Sequence, residues 1–232
     1  KQGTNLISKN YIGDSWPHNN WGDLWVQIRP EFKTHPANEI SFNTMGWSAH
    51  DDPNENMMTT GYSVQPGVWT HLVVTQDAGK VQKMYFNGKC VAGPTAFAAS
   101  TRREVLAKTD GRIKGSIPAN IYIGGGGVYK AGFNGAIDEV QVWNKALTDA
   151  EVLEAMNGYT AGNIPDGLQG YYTFEEVNSN GAFTNQGKLA NQDAKVVRTA
   201  GSGGEDTSGA EYVQQTADNG LLGYPGVPGT LD

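Results

Sequence analysis

The sequence predicts an all-β domain: two antiparallel sheets packed as a β-sandwich, with one short helix. Short runs of β-branched and aromatic residues alternate in polarity with a period of two, which is typical of strands that bury one face. Glycine provides 31 of the 232 residues, as expected for a protein with many tight turns. A single strong capping signal marks one helix. Many strands and one helix favour a sandwich.

Two alternating runs near the N-terminus predict the first strands. Leu24, Val26 and Ile28 form one apolar face, and Ile40 and Phe42 form a second one. Because successive side chains of a strand point to opposite faces, each run can bury one side against a core. We therefore expect both strands to contribute to the same sandwich.

The middle of the chain predicts a β-hairpin. Leu72 and Val74 alternate with more polar neighbours on its first strand, and Met84 and Phe86 share a face of the second. The next two residues, 87–88, are Asn-Gly. This pair readily adopts the positive φ angles that a two-residue hairpin turn requires. The turn therefore closes a hairpin directly after residue 86.

A further pair of strands is predicted around a glycine run. Residues 121–123 form a short strand that ends in the four glycines 124–127, and a second strand begins near Phe133. From Ala136 to Trp143 the period is two. The face expected to meet the core consists of Asp138, Val140 and Val142. The opposite face consists of Ile137, Glu139, Gln141 and Trp143.

A helix is predicted to follow directly. Thr148 and Glu151 form a capping box, in which each side chain satisfies a backbone N–H that is unpaired at a helix start. Gly158 can adopt the left-handed conformation that ends a helix. The expected apolar stripe of the helix is Val152, Leu153 and Met156.

These segments carry a family resemblance. The string FNGAIDEVQVWNKALTDAEV at 133–152 resembles the closing strand and helix of laminin G-like domains, which belong to the concanavalin A-like lectin and glucanase superfamily. The strings GVWTHLVVT at 67–75, MYFNGK at 84–89 and IYIGG at 121–125 occur in the order that this resemblance requires. The resemblance implies a concanavalin A-like jelly roll, and it is closest to domains of bacterial cell-surface proteins.

The C-terminal third departs from the family pattern. Family members usually open with a strand that resembles Leu-x-Gly-Tyr-Tyr-x-Phe, yet here this motif occurs late, at 168–174. The late segment either fills the vacant place in the sheet, which we favour because a missing strand would expose an unpaired edge, or forms an accessory subdomain. We predict a sandwich over 1–167, a segment that completes or packs on it over 168–199, and an irregular tail or linker over 200–232.

Composition excludes several classes of partner. The net charge of -7 argues against a nucleic-acid backbone, which is bound through clustered Lys and Arg. No apolar run is long enough to cross a membrane. Cys90 is the only cysteine, so an intramolecular disulfide is impossible.

The arrangement of acidic residues argues against an enzyme. Glucanases of this superfamily carry alternating acidic residues on one strand, which places a nucleophile and a general acid on the same face. No such alternation occurs here, and the adjacent Asp138 and Glu139 would point to opposite faces of a strand. We expect Asp138 to anchor a turn and Glu139 to be solvated. The sequence therefore predicts a non-catalytic domain.

An aromatic loop at 14–23 is the first candidate ligand site. Aromatic rings cover the apolar face of a sugar, and amide, imidazole and carboxylate groups bind its hydroxyl groups. In the alternative interpretation the tryptophans fill the rim of the sandwich. The candidate ligand-binding residues are Asp14, Trp16, His18, Asn19 and Trp21.

A second loop, at 50–56, concentrates oxygen donors. Calcium prefers such ligands, although the loop lacks the spacing of an EF-hand and turn-forming residues alone can explain its composition. Calcium is also frequent in the domains that this chain resembles, and no other cofactor is indicated. The candidate metal ligands are Asp51, Asp52, Asn54 and Glu55.

Three functions remain open at this stage. The first is a non-catalytic carbohydrate-binding or adhesion module whose partner is a polysaccharide or other glycan. The second is a structural module that binds other surface proteins, and the third is a glycoside hydrolase whose carboxylates come from distant strands. By resemblance, the expected location is extracellular, periplasmic or at the cell surface.

Overall fold

A computed structural model describes residues 4–9, 24–29, 31, 36–44, 57–79, 81–96, 121–125, 133–189 and 192–195. These residues form twelve strands and one helix. In chain order the elements are β1 (Thr4–Lys9), β2 (Leu24–Arg29), β3 (Glu39–Thr44), β4 (Met57–Ser63), β5 (Leu72–Gln76), β6 (Val81–Phe86), β7 (Lys89–Ala96), β8 (Ile121–Ile123), β9 (Val140–Trp143), α1 (Asp149–Ala155), β10 (Leu168–Tyr172), β11 (Ala182–Phe183) and β12 (Ala194–Lys195).

The strands form antiparallel sheets, which confirms the predicted fold class. The largest sheet has five strands in the order β4-β3-β2-β1-β8, and a second sheet has the order β5-β6-β7. β9 pairs with β10, and β11 pairs with β12. The strand content and the pairing are consistent with a jelly-roll β-sandwich.

The main hydrophobic core lies between the two larger sheets. Val26, Ile40 and Phe42 from the five-stranded sheet pack in one cluster with Met84 from β6. Leu72, Val74 and Phe86 are partly buried against the same cluster. The apolar faces predicted from alternation are therefore confirmed for these residues, while the side chain of Leu24 lies outside the described part of the structure.

A second cluster places α1 on the other face of the three-stranded sheet. Tyr85 follows Met84 in β6 and so points the opposite way, where it packs with Leu147, Val152 and Ala155. The Tyr85 hydroxyl group donates to Asp149 Oδ1 at 2.8 Å. The sheet is consequently covered by strands on one face and by α1 on the other.

The helix begins as predicted, but its buried stripe differs. Both hydrogen bonds of the Thr148 and Glu151 capping box are present, and Gly158 has a φ of 69°. The buried helical residues are Val152 and Ala155, whereas Leu153 is 51% exposed. The prediction for Leu153 was wrong. The buried face consists of Val152 and Ala155, which are three residues apart and so lie on the same side of the helix, whereas Leu153 does not.

The predicted hairpin turn is confirmed. Asn87 and Gly88 have φ angles of 49° and 76°, and Phe86 pairs with Lys89 across the turn. Both residues are therefore in the left-handed region, which asparagine and glycine tolerate better than other residues.

The strand predicted from Phe133 was wrong in its start, because β9 begins only at Val140. Glu139 has a φ of 52°, so the chain leaves the extended conformation directly before β9. The Asp138 carboxylate accepts the Glu139 N–H at 2.8 Å and holds this turn. Val140 is buried as expected, while Val142 is half-buried.

The late segment pairs with β9. Leu168 and Tyr171 of β10 are buried, and β10 runs antiparallel to β9. The second edge of β10 is also occupied, since the backbone N–H groups of residues 186, 188 and 189 donate to carbonyl groups of β10. The predicted divisions at residues 167 and 199 stay predictions, and residues 200–232 lie outside the described part of the chain.

Asn185 binds that second edge with its side chain. Its Oδ1 accepts the Tyr171 N–H at 2.8 Å, and its Nδ2 donates to the Gln169 carbonyl at 3.0 Å. Oδ1 also accepts the Gly187 N–H at 2.8 Å, and Nδ2 donates to the Leu189 carbonyl at 2.8 Å. One half-buried side chain thus makes the bonds that a neighbouring strand would make.

Candidate functional site

The ligand-binding residues predicted from the aromatic loop (Asp14, Trp16, His18, Asn19 and Trp21) lie outside the described residues. The predicted metal ligands Asp51, Asp52, Asn54 and Glu55 do so as well. The strands that flank both loops are described. Lys9 pairs with Leu24, Leu24 pairs with Thr44, and Asn43 pairs with Met57. The strand ends that flank the two loops therefore lie at the same end of the five-stranded sheet.

The five-stranded sheet has a polar face opposite the hydrophobic core. Gln27 pairs with Asn5 on one side and with Ser41 on the other, and Arg29 pairs with Glu39. Residues paired directly across antiparallel strands lie on the same face, so these side chains form a row across three strands. We define the polar face by six residues: Asn5, Ser8, Gln27, Arg29, Glu39 and Ser41.

Hydrogen bonds hold this face in place. Gln27 Nε2 donates to Asn5 Oδ1 at 3.3 Å, and Ser8 Oγ donates to the Gly125 carbonyl at 3.1 Å. Glu39 Oε1 accepts the Gly61 N–H at 2.6 Å. Buried polar groups need such partners, because their desolvation is otherwise uncompensated. The face is therefore built before any ligand arrives.

Two opposite charges face each other within the polar face. Arg29 and Glu39 are register partners on β2 and β3, and they are only 5% and 1% exposed. An opposite charge on the neighbouring strand compensates part of the cost of burying an ionised group. The pair places a carboxylate and a guanidinium group on the same face, where β2 ends and β3 begins.

Ser41 has hydrogen-bonding capacity left over. Its side chain is fully buried, and its Oγ has no hydrogen-bond partner among the residues that the structure describes. A buried hydroxyl group can both donate and accept. Within the described residues, the desolvation of the Ser41 hydroxyl group is therefore uncompensated.

Two half-buried carboxylates, Asp138 and Glu139, lie in the turn before β9. The Tyr171 hydroxyl group donates to Glu139 Oε2 and accepts the Tyr159 N–H at 3.1 Å. Glu139 is half-buried, so the expectation that it is solvated was wrong, whereas Asp138 anchors the turn as predicted. The Asp138 carboxylate thus holds the turn, and the Glu139 carboxylate binds β10 through the Tyr171 hydroxyl group.

Burial dominates the electrostatics of this turn. It raises the pKa of Asp138 to about 6, helped by the nearby charges of Glu139 and Glu175 and opposed by the backbone hydrogen bond from Glu139. Burial also raises the pKa of Glu139, although the hydrogen bond from Tyr171 acts in the opposite direction. Both carboxyl groups therefore bind a proton more tightly in the folded chain than in the unfolded one.

Acidification should stabilise the domain through Asp138. Because its folded pKa of about 6 lies above its unfolded value of 3.8, this contribution is complete below the unfolded value and is lost as the pH rises through about 6. Allowing for partial exposure, we expect roughly 1–2 kcal/mol. In Asp138→Asn, which keeps the Oδ1 acceptor, the free energy of unfolding measured by urea titration should lose this pH dependence.

Asp77→Asn is the matched control for that titration. Asp77 is exposed and also accepts a backbone N–H, that of Val81 at 2.9 Å. Because Asp77 is exposed, its replacement should change the free energy of unfolding by less than about 0.5 kcal/mol. An unchanged dependence in Asp138→Asn would contradict the assignment.

Sequence reasoning missed the polar face and the contact between Tyr171 and Glu139. The first had a signal, since Gln27 and Arg29 alternate with apolar residues in β2, as Glu39 and Ser41 do in β3. The second had none, because it joins residues 32 positions apart.

The described residues contain neither a cluster of metal ligands nor a membrane-spanning helix. No group of three or more His, Cys, Asp or Glu side chains in them could hold a metal ion. In the same residues, no helix is long and apolar enough to span a membrane. The predicted calcium site falls outside this part of the chain and stays a prediction.

Comparisons with solved structures give weak similarities, of which two follow. A candidate carbohydrate-binding protein from Bacteroides ovatus is 19% identical with a TM-score of 0.46, over 79% of this chain and 48% of the other. An S-layer domain-containing protein from Clostridium thermocellum is 21% identical with a TM-score of 0.27, over 64% of this chain and 62% of the other. The chain thus spans about half of the first protein. Both TM-scores are below 0.5, so neither similarity supports an argument about function.

Comparisons of sequence are more decisive. No curated protein matches the chain. The model of the Laminin_G_3 family matches residues 11–153, which is more than half of the 232 residues and includes the polar strands β2 and β3, the hairpin and most of α1. The chain therefore belongs to the Laminin_G_3 family of the concanavalin A-like lectin/glucanases superfamily.

Proposed function

We propose that this domain is a non-catalytic carbohydrate-binding or adhesion module of a secreted or cell-surface bacterial protein. The observation that carries the proposal is the polar face of the five-stranded sheet. Family membership supports it at the level of the superfamily, which includes lectins as well as glucanases.

The chemistry of the polar face suits a sugar. Sugar hydroxyl groups donate and accept hydrogen bonds, and the face contains amide, hydroxyl, guanidinium and carboxylate groups. Gln27 is its half-buried member and the first one that a ligand would reach, since the other five residues are at most 7% exposed. By register with Ser8, Tyr122 falls on the same face, which adds an aromatic residue of the kind that covers the apolar side of a sugar ring. Because Gln27 and Asn5 already hold each other, little side-chain entropy is lost on binding.

The positions and hydrogen bonds of the carboxylates favour binding without catalysis. Glycoside hydrolysis requires two carboxyl groups that flank one bond. Among the described residues, the polar face has one carboxylate, Glu39, and its Oε1 already accepts the Gly61 N–H. Asp138 and Glu139 are occupied in the turn before β9.

The two predicted loops extend this proposal to the end of the sheet. Trp16 and Trp21, with Asp14, His18 and Asn19, would contact the glycan beyond the strands. A calcium ion held by Asp51, Asp52, Asn54 and Glu55 would lie at the same end, because the strand ends that flank both loops lie there. Other surface proteins are further partners, and the location is extracellular, periplasmic or at the cell surface.

Binding to a panel of plant, host and microbial polysaccharides tests this function. We expect the parent chain to bind at least one of them, and Gln27→Ala to weaken that binding by roughly three- to tenfold, the loss of about one hydrogen bond. The double variant Trp16→Ala, Trp21→Ala should weaken it further. Gln65→Ala, at an exposed turn outside the polar face, is the control and should bind like the parent.

Each other outcome of the panel has a definite meaning. No detectable binding to any of the polysaccharides would contradict the proposal and favour a structural or protein-binding module. Release of new reducing ends would instead indicate a glycoside hydrolase. The panel is run with calcium and with a chelator, and a melting temperature that neither reagent changes would contradict the calcium site, since a ligand of the native state must stabilise it.

A further inference from the structure

Four asparagine–glycine pairs lie in the described part of the chain: Asn87-Gly88, Asn134-Gly135, Asn157-Gly158 and Asn180-Gly181. In such a pair the backbone nitrogen of the glycine can attack the side-chain amide carbon of the asparagine. Glycine has no Cβ to obstruct this approach and restricts the backbone least. A folded chain slows the reaction wherever hydrogen bonds hold either group.

Three of the pairs are held in this way. The backbone N–H and Oδ1 of Asn87 bond to the carbonyl and N–H of His71, both at 2.8 Å. Asn157 Nδ2 donates to the Leu153 carbonyl at 3.3 Å, and the N–H of the following glycine donates to the Ala155 carbonyl at 3.2 Å. The Gly181 N–H donates to the Asn178 carbonyl at 2.9 Å.

The pair at residues 134–135 differs from the others. Asn134 and Gly135 are both exposed. They lie between Phe133 and β9, outside any helix or strand. Within the described residues, neither the Asn134 side chain nor the Gly135 N–H makes a hydrogen bond. Both reacting groups are therefore accessible and unrestrained.

We propose that Asn134 is a site of spontaneous deamidation, the fastest of these four pairs in the folded protein. A bond forms between Asn134 Cγ and the Gly135 nitrogen, which loses its proton, while the Cγ–Nδ2 bond breaks and the nitrogen leaves as ammonia. Water then opens the resulting succinimide at either carbonyl, giving aspartate or isoaspartate. The reaction is intramolecular and needs only water as a second reactant.

The product changes a segment that is anchored on both sides. The Phe133 N–H donates to the Gly124 carbonyl at 2.9 Å, and the chain enters the Asp138 turn a few residues later. The Phe133 ring also lies against Gly135, at 2.5 Å from where a Cβ would stand. Isoaspartate lengthens the main chain between these anchors, and either product makes the net charge of -7 one unit more negative.

Peptide mapping of the folded protein during incubation in mildly alkaline buffer tests the proposal. We expect Asn134 to convert faster than Asn87, Asn157 and Asn180 by roughly two- to tenfold, the factor by which one hydrogen bond that must first break protects each of them. The tryptic peptide of residues 131–145 reports on Asn134. Its isoaspartate content separates this route from direct hydrolysis, which gives aspartate alone.

Incubation in urea and two substitutions complete the design. In urea the four rates should converge, because the protecting hydrogen bonds are lost. Among the peptides that carry these four pairs, Asn134→Gln should remove the largest isoaspartate signal of the aged folded protein, while Asn180→Gln should leave it. Equal rates in the folded protein, or a faster reaction at any of the other three pairs, would overturn the proposal.

Discussion

A chain that ends at residue 167 is expected to lose cooperative folding. The deletion removes β10 and so exposes the edge of β9, and it removes Leu168, Tyr171 and Phe183, which are at most 6% exposed. Burying each such side chain contributes about 1.5–3 kcal/mol, and the whole stability of a domain is only about 5–15 kcal/mol. Urea titration followed by tryptophan fluorescence should show no cooperative transition.

A second deletion is the control for the first. A chain that ends at residue 199 keeps β10, β11 and β12, and we expect it to unfold in one transition, like the full chain. If the chain ending at 167 were soluble and unfolded cooperatively, the segment 168–199 would be an accessory unit and not part of the sandwich. The two deletions together therefore test the predicted domain boundaries.

Asn185→Ala should be the most damaging exchange of a single polar side chain. It removes four hydrogen bonds, two of them to the edge of β10, and leaves the Tyr171 N–H without its partner. Because the site is half-buried, water replaces some of these bonds, and we expect a loss of about 2–4 kcal/mol. The loss should appear in urea titration as a lower midpoint with an unchanged slope.

Asn180→Ala is the matched control for this exchange. Asn180 is an exposed asparagine of the same segment, and among the described residues its side chain makes no hydrogen bond. Its replacement should change stability by less than about 0.5 kcal/mol. Equal losses in the two variants would show that the Asn185 side chain does not hold β10 in solution.

The elements that could be predicted from sequence are those fixed by local chemistry. The Asn87-Gly88 turn depends on two residues and their φ angles, and the capping box of α1 depends on Thr148 and Glu151 alone. The apolar faces of β2, β3 and β6 follow from alternation, which survives any arrangement of the sheets. These predictions were confirmed for that reason.

The features that sequence reasoning missed depend on distant contacts. From the sequence pattern, Glu139 is an ordinary strand residue. In the structure it has a φ of 52° and is held by Tyr171 and the Asp138 turn. Leu153 looks buried until the approach of the sheet selects the face of Val152 and Ala155. The polar face appears only when register places Gln27 beside Asn5 and Ser41, since alternation alone cannot show which polar positions meet.

The pairing of β9 with β10 also sets an order in time. β9 leaves the site of synthesis before its partner strand and before Asn185, which binds the other edge of that partner. At roughly 5–20 residues per second, several seconds pass while the β9 edge has no strand to bind. An unpaired edge can pair with another chain in that interval. A substitution that slows or weakens the docking of β10 should therefore reduce the yield of folded protein in the cell more than its effect on equilibrium stability would suggest.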